Sequence, residues 1–342
     1  MKLSGVLSGV VFVTLGVFVV GCAGHTDDEA DKGDTLTLYV SSDKVTADGV
    51  EKVAFSVFCG DADVTEESEI VCVGDGSKLL SPVFSTEQIG KYVFRALYEG
   101  TISEDVQVEA VSRFKRRVCV MEFTGTWCSQ CPDGALLVNN LVEDTFRNQA
   151  YALAFHNDDE YTIPAEAALR GVLKYSAYPS YSVDMRDTGE LNGFGCRNAI
   201  KYSLNESQTH CAVSVTCRRE SGRGMVGYKV FSELQSDYKV AAYVVEDRVI
   251  GRQLEGNNVY DEQYVHRHMV RKMLSVSVGG DDLGRLSAGE ERTGNFEFDI
   301  DSLWNGEMLY VAVLAIGEDG YVNNMAICSV NGGTMDYEYR NM

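Results

Sequence analysis

Residues 123–135 read FTGTWCSQCPDGA, and its two thiols, Cys128 and Cys131, are the side chains here best suited to chemistry. Two cysteines with two residues between them fit three chemistries. A thiolate at the first can attack a partner disulfide while the second resolves the mixed intermediate. The pair can instead be a static structural disulfide, or half of a metal site. Metal is the weakest reading. A structural zinc ion wants four ligands as two close pairs, whereas no second C-x-x-C occurs and Cys119 lies nine residues upstream.

The elements around the pair must position it. VCVMEF (118–123) is a continuous apolar run of the type buried on both faces of a parallel sheet. Helical spacing follows, Leu137 with Leu141 and Val138 with Val142 and Phe146. YALAFH (151–156) predicts a second buried strand, and PAEAALRGVLKY (164–175) a helix opened by proline. YPSYSVD (178–184) predicts a third strand, and a turn through Asp187-Thr188-Gly189 leads to helical NAIKYSL. The order β-α-β-α-β-β-α describes an α/β unit of the thioredoxin type. Cys128 then sits at the C-terminal end of a buried strand and in the first turn of a helix. Unpaired backbone N–H groups and the helix dipole favour a thiolate there.

EFTGTWCSQC is similar to the thioredoxin-superfamily pattern of acid, aromatic, small residues, Trp and C-x-x-C. The resemblance implies that Glu122 is the buried acid handling protons for the resolving Cys131. It implies that Pro179, after Tyr178, is a cis-proline opposite the cysteines that helps seat a partner chain; only X-Pro bonds adopt cis cheaply. Trp127 is expected to pack beside the sulfurs as an apolar rim. His156 ends the second strand and reads either as a rim residue able to tune a thiolate or as a surface-loop histidine. Ser-Gln between the cysteines and Pro132 after them depart from thioredoxin. FTGTWCSQCPDGA with AFHND downstream looks more like the Bacteroidota lipoproteins related to "outer membrane protein twenty-eight". That family joins a lipoprotein signal, a thioredoxin-like domain and a C-terminal β domain. YKVAAYVVEDRVIGRQ and YVHRHMVRKML look like the latter.

The rest of the chain supports a multidomain α+β protein. Residues 1–21 read as a lipoprotein signal peptide ending VVGC, so Cys22 is the expected lipidation site and membrane anchor. Residues 22–37, with Asp27, Asp28, Glu29 and Asp31, are an acidic tether. Short alternating strands over 38–111, with Gly90-Lys91-Tyr92 resembling a tyrosine corner, predict an immunoglobulin-like β-sandwich. The basic SRFKRR (112–117) reads as a solvated connection, 112–207 as the thioredoxin-like domain and 208–342 as a C-terminal β-sandwich domain.

Net charge is −21 over 342 residues, which argues against nucleic acid as a partner. Ten cysteines include seven besides Cys22, Cys128 and Cys131, an odd number that one chain cannot fully pair. Cys59 and Cys72 are candidates to face each other in the first sandwich. Cys211 and Cys217 share one strand face and are too far apart to bond, roughly 20 Å by strand rise. His266 and His268 alternate along VHRHMV and read as an ordinary strand face rather than a metal pair. No phosphate loop, dinucleotide fingerprint, G-x-S-x-G or H-E-x-x-H occurs, and no cofactor is expected.

Two functions stand side by side. One is an outer-membrane lipoprotein in the cell envelope exchanging disulfides with protein thiols of an unidentified redox partner. The other is a surface binding protein or adhesin whose dithiol is only structural.

Overall fold

A computed structural model describes residues 35–186 and 193–340. Cys22, the leader, most of the tether and the 187–189 turn lie outside them.

The first strands are β1 (Leu36–Val40), β2 (Lys44–Thr46), β3 (Val53–Cys59), β4 (Ala62–Asp63), β5 (Glu69–Cys72), β6 (Val83–Phe84), β7 (Gly90–Tyr98), β8 (Thr101–Ile102) and β9 (Val106–Val111). They form two sheets, β1-β3-β4 with β6 on β3, and β2-β9-β7-β5 with β8 on β7. Alternate residues such as Val53, Phe55, Val57, Phe94, Ala96 and Val108 fill the core between them. Tyr92 donates its hydroxyl to the Gln88 carbonyl at 3.0 Å, an anchor four residues upstream. Cys59 and Cys72 both belong to this core, and no disulfide joins them.

Next come β10 (Val118–Thr124), α1 (Cys131–Asn139) running into a π-helical turn (Asn140–Thr145), β11 (Ala150–His156), α2 (Pro164–Leu173), β12 (Ser180–Val183) and α3 (Gly193–Asn205). β10 is central, parallel to β11 and antiparallel to β12. Its residues alternate between faces. Cys119, Met121 and Phe123 join the core under α2, while Val118 and Val120 join the core under α1 and α3.

The remaining strands are β13 (Cys211–Glu220), β14 (Arg223–Ser232), β15 (Ser236–Glu246), β16 (Val249–Leu254), β17 (Tyr260–His266), β18 (Met269–Met273), β19 (Asp281–Leu286), β20 (Glu291–Asp299), β21 (Leu309–Ile316), β22 (Val322–Ser329) and β23 (Thr334–Met335). The expected boundary at 207/208 does not separate two sheets. Ala154 of β11 pairs in parallel with Met269 of β18, giving one eight-stranded sheet in the order β12-β10-β11-β18-β15-β21-β22, with β19 on β15. A second sheet, β20-β14-β13-β23, packs on β15, β21 and β22.

Two further expectations are corrected. The run VHRHMV is not one strand: His266 ends β17, and His268 turns the chain with φ 53° before β18 begins. β17 pairs with β16 while β18 pairs with β15, so the two histidines serve different sheets. The basic 112–117 segment is not solvated, since Phe114, Arg116 and Arg117 are 1%, 4% and 4% exposed. Arg116 donates to the Asp184 carboxylate at 2.7 Å and to the Val322 and Asn323 carbonyls. The other Asp184 oxygen accepts from the Cys119 N–H at 2.9 Å, and the Arg117 N–H donates to Asn324 Oδ1 at 2.9 Å. The basic residues are needed inside because Asp184 is wholly buried and β22 begins there with carbonyls to satisfy.

Removing one partner of such a buried pair leaves the other charge stranded, a cost of about 3–5 kcal/mol. Arg116→Ala is therefore expected to lower the unfolding free energy by that order in urea titration. A loss below about 1 kcal/mol, the range of exposed pairs, would show that the contact is not a structural clamp.

Candidate functional site

The apolar β10 carries the chain to Thr124 at the sheet's end, and the turn Gly125–Gln130 follows. The Cys128 N–H donates to the Gly125 carbonyl at 3.0 Å, and the Cys131 N–H to the Cys128 carbonyl at 3.2 Å. Helix α1 starts only at Cys131, with Pro132 in its first turn. Cys128 thus lies in the turn just ahead of the helix, not in its first turn as expected, because these short turn bonds precede the helical ladder.

Cys128 and Cys131 are joined in a disulfide with Cα atoms 5.4 Å apart. Exposure separates them, at 5% for Cys128 and 1% for Cys131. Among the described residues no group of three or more His, Cys, Asp or Glu side chains converges as a metal site.

Glu122 shares the β10 face of Val118 and Val120 and is 3% exposed. Its neighbours in register are Ala154 and Tyr181. Carboxylate oxygen Oε1 has no hydrogen-bond partner, and burial pushes the acid up to about 8. Cys196 on α3 and Tyr264 on β17 feel this carboxyl, each pushed up to about 12 by burial first and Glu122 second. The acid shares its strand face with the core that Val138 of α1 and Cys196 and Ile200 of α3 complete.

The Tyr178–Pro179 peptide is cis. A methyl built on Gly134, one turn into α1, would stand 2.3 Å from the Tyr181 hydroxyl and 2.9 Å from Pro179 Cγ. Only glycine at 134 lets α1 close onto Pro179 and onto Tyr181 of β12. Trp127 remains 39% exposed. Its indole N–H donates to the Asn157 carbonyl at 2.7 Å, and its ring meets Tyr178 edge-on at 5.5 Å. The Tyr178 hydroxyl in turn donates to buried Glu166, shared with Tyr175.

His156 is buried, contrary to the surface-loop alternative. Its Nδ1 lies 2.7 Å from Asp159 Oδ2, which also accepts from the Thr126 N–H at 2.9 Å. His266 and Tyr161 pack on its ring. This histidine therefore braces the turn before Trp127 through Asp159.

Sequence reasoning missed the β16–β17 hairpin. It leaves the large sheet after β15, returns at β18, and so reaches the ends of β10 and β11 beside it. Gln253 Nε2 donates to the Cys128 carbonyl at 2.9 Å, and the Leu254 N–H donates to the Thr126 carbonyl at 2.8 Å. Gln253 is 2% exposed, and it lies over a hundred residues from the motif it holds. Nothing in the local sequence singles it out.

Comparison with known proteins gives three findings. No curated protein matches the sequence. The family described as "Outer membrane protein Omp28" matches residues 169–332, a stretch that includes Pro179, Cys196 and the hairpin but begins after Cys131. Among solved structures, HBP35 of Porphyromonas gingivalis is similar over 64% of this chain and 76% of that one, at 18% identity and TM-score 0.54. That is a likeness of fold. A DUF4785 family protein from Legionella pneumophila aligns over 86% of this chain and 55% of that one at 8% identity, but its TM-score of 0.23 is too low to relate the folds.

Two outcomes follow. The Glu122 carboxyl has its folded value raised from 4.5 to about 8. Its contribution to stability is complete below the unfolded value and is lost as pH rises through the folded one. Relative to Glu122→Gln, the wild type should lose about 1.4 kcal/mol per pH unit across that window. Urea titrations at both ends check this, and a pH-independent difference would mean that the acid is not held neutral. Gly134→Ala should destabilise by about 1–3 kcal/mol through overpacking against Tyr181 and Pro179. An unchanged thermal midpoint would show that the helix has room to move away.

Proposed function

We propose that this is a lipid-anchored envelope protein whose Cys128–Cys131 pair exchanges disulfides with partner proteins through a thioredoxin-like layer. The matched family is one of outer membrane proteins, which points to that membrane. A disulfide built into the turn between helix α1 and the buried strand that carries a neutral acid, Glu122, six residues before Cys128 is the observation that carries the redox reading. Structural disulfides need no such acid, and burying a carboxyl with an unpaired oxygen is costly, which supports a use in proton transfer.

In the oxidising direction a partner thiolate attacks Cys128, the more exposed sulfur. The Cys128–Cys131 bond breaks, and Cys131 leaves as a thiolate that takes the proton from Glu122. A second partner thiolate attacks the partner sulfur of the mixed disulfide and releases Cys128. Two electrons pass from the partner dithiol to this protein, and the partner gains a disulfide. Run in reverse, the steps reduce a partner disulfide, and Glu122 accepts the Cys131 proton. Trp127 and Pro179 border the sulfur that the partner approaches. Gln253 holds the Cys128 carbonyl and so fixes the turn during attack.

One observation favours the rival reading of a binding protein with an inert staple: the hairpin bonds at Gln253 and Leu254 leave Cys128 little exposed. Titration in glutathione buffers decides between them. The dithiol-to-disulfide ratio should follow the buffer in the wild type, and insulin reduction by the wild type should disappear in Cys128→Ser. A disulfide that no glutathione ratio shifts, together with no insulin reduction or oxidation, would sink the redox reading.

A further inference from the structure

A second pair of thiols meets far from the first. Cys217 lies in β13 of the smaller sheet and Cys328 in β22 of the larger one. Both belong to the core between those sheets, and they are 2% and 6% exposed. Gly333, in the turn between β22 and β23, brings them together. Its carbonyl accepts from the Cys217 N–H at 2.9 Å, and a methyl built on it would stand 3.1 Å from Cys328 Cβ. The two side chains share that core, and the neighbouring Cys328, then burial, holds the Cys217 thiol well above its ordinary value. Cys211, on the same strand, faces the charges of Arg116 and Glu233 instead.

We propose that Cys217 and Cys328 are an oxidation site and form a second disulfide that ties the two sheets of the C-terminal half together. The oxidant is a small disulfide donor of the glutathione class. One cysteine thiolate attacks a donor sulfur and displaces the first donor thiol. The other cysteine thiolate then attacks its partner's sulfur in the mixed disulfide and displaces the second. Two protein thiols become one disulfide, and the donor disulfide becomes two thiols. Inside the folded core the two thiols are shielded from the donor, so the bond forms while the sheets are closing. The cross-link encloses nearly all of the C-terminal half, and a long closed loop restricts the unfolded chain strongly. The proposal is independent of any exchange at Cys128.

The test is refolding of the denatured full chain in a glutathione redox buffer, followed by alkylation and non-reducing peptide mapping. A linked peptide carrying Cys217 and Cys328, lighter by two hydrogens than its separate halves, is expected beside the Cys128–Cys131 peptide. In a Cys128→Ser/Cys131→Ser background, the oxidised protein should have a higher urea midpoint than the same protein reduced. That difference should vanish on adding Cys328→Ala. Full alkylation of both cysteines, pairing of either with another cysteine, or equal midpoints would overturn the proposal.

Discussion

The parallel pairing of Ala154 with Met269 makes one sheet out of two segments that the chain lays down far apart. Everything else at the site depends on that seam. β18 lies between β11 and β15, so the connection from β15 to β18 starts and ends beside β11. The hairpin that makes this connection arrives at the cysteine turn, where Gln253 and Leu254 bond to it. The cores show the same continuity. Met121, Phe123 and Leu153 from one half share a cluster with Tyr243, Val270 and Leu314 from the other. A sheet edge left open at β11 would instead be an unpaired strand exposed to association.

Two of the buried acids of this region are handled in opposite ways. Asp184 is surrounded: Arg116 faces one oxygen and the Cys119 N–H the other. Glu122, on β10 only three residues beyond Cys119, receives no such help and keeps its proton. Burial alone disfavours the charged form, whereas an adjacent guanidinium favours it. The paired acid locks the connecting segment to β22. The other acid holds a proton that can leave near neutral pH.

Glycine and proline set the fit at the mouth of the site. Gly134 permits α1 to lie against Pro179 and Tyr181, and the Tyr178 ring meets Trp127 edge-on. Through Glu166 and Tyr175, that ring is tied to the core side of α2. His156 and Asp159 brace the opposite side of the turn. The exposed indole is thus held at several points although its face is open to solvent.

Local pattern determined a good deal by itself. The apolar run of β10, the helical spacing after it, the C-x-x-C pair and the alternating strands of both flanks were all legible, because each rests on contacts a few residues apart. The burial of Glu122 and the cis bond at Pro179 were foreseen through the thioredoxin resemblance. Only the tertiary structure decided what depends on strand partnership. It merged the last two segments into one sheet, split VHRHMV at His268, and drew Arg116 and Arg117 inside to serve Asp184 and β22. It also brought Gln253 to Cys128 and Cys217 to Cys328. Charge and hydropathy of a short segment cannot foretell these outcomes, because the partner that makes an arginine buriable or a thiol crowded lies on a strand far along the chain.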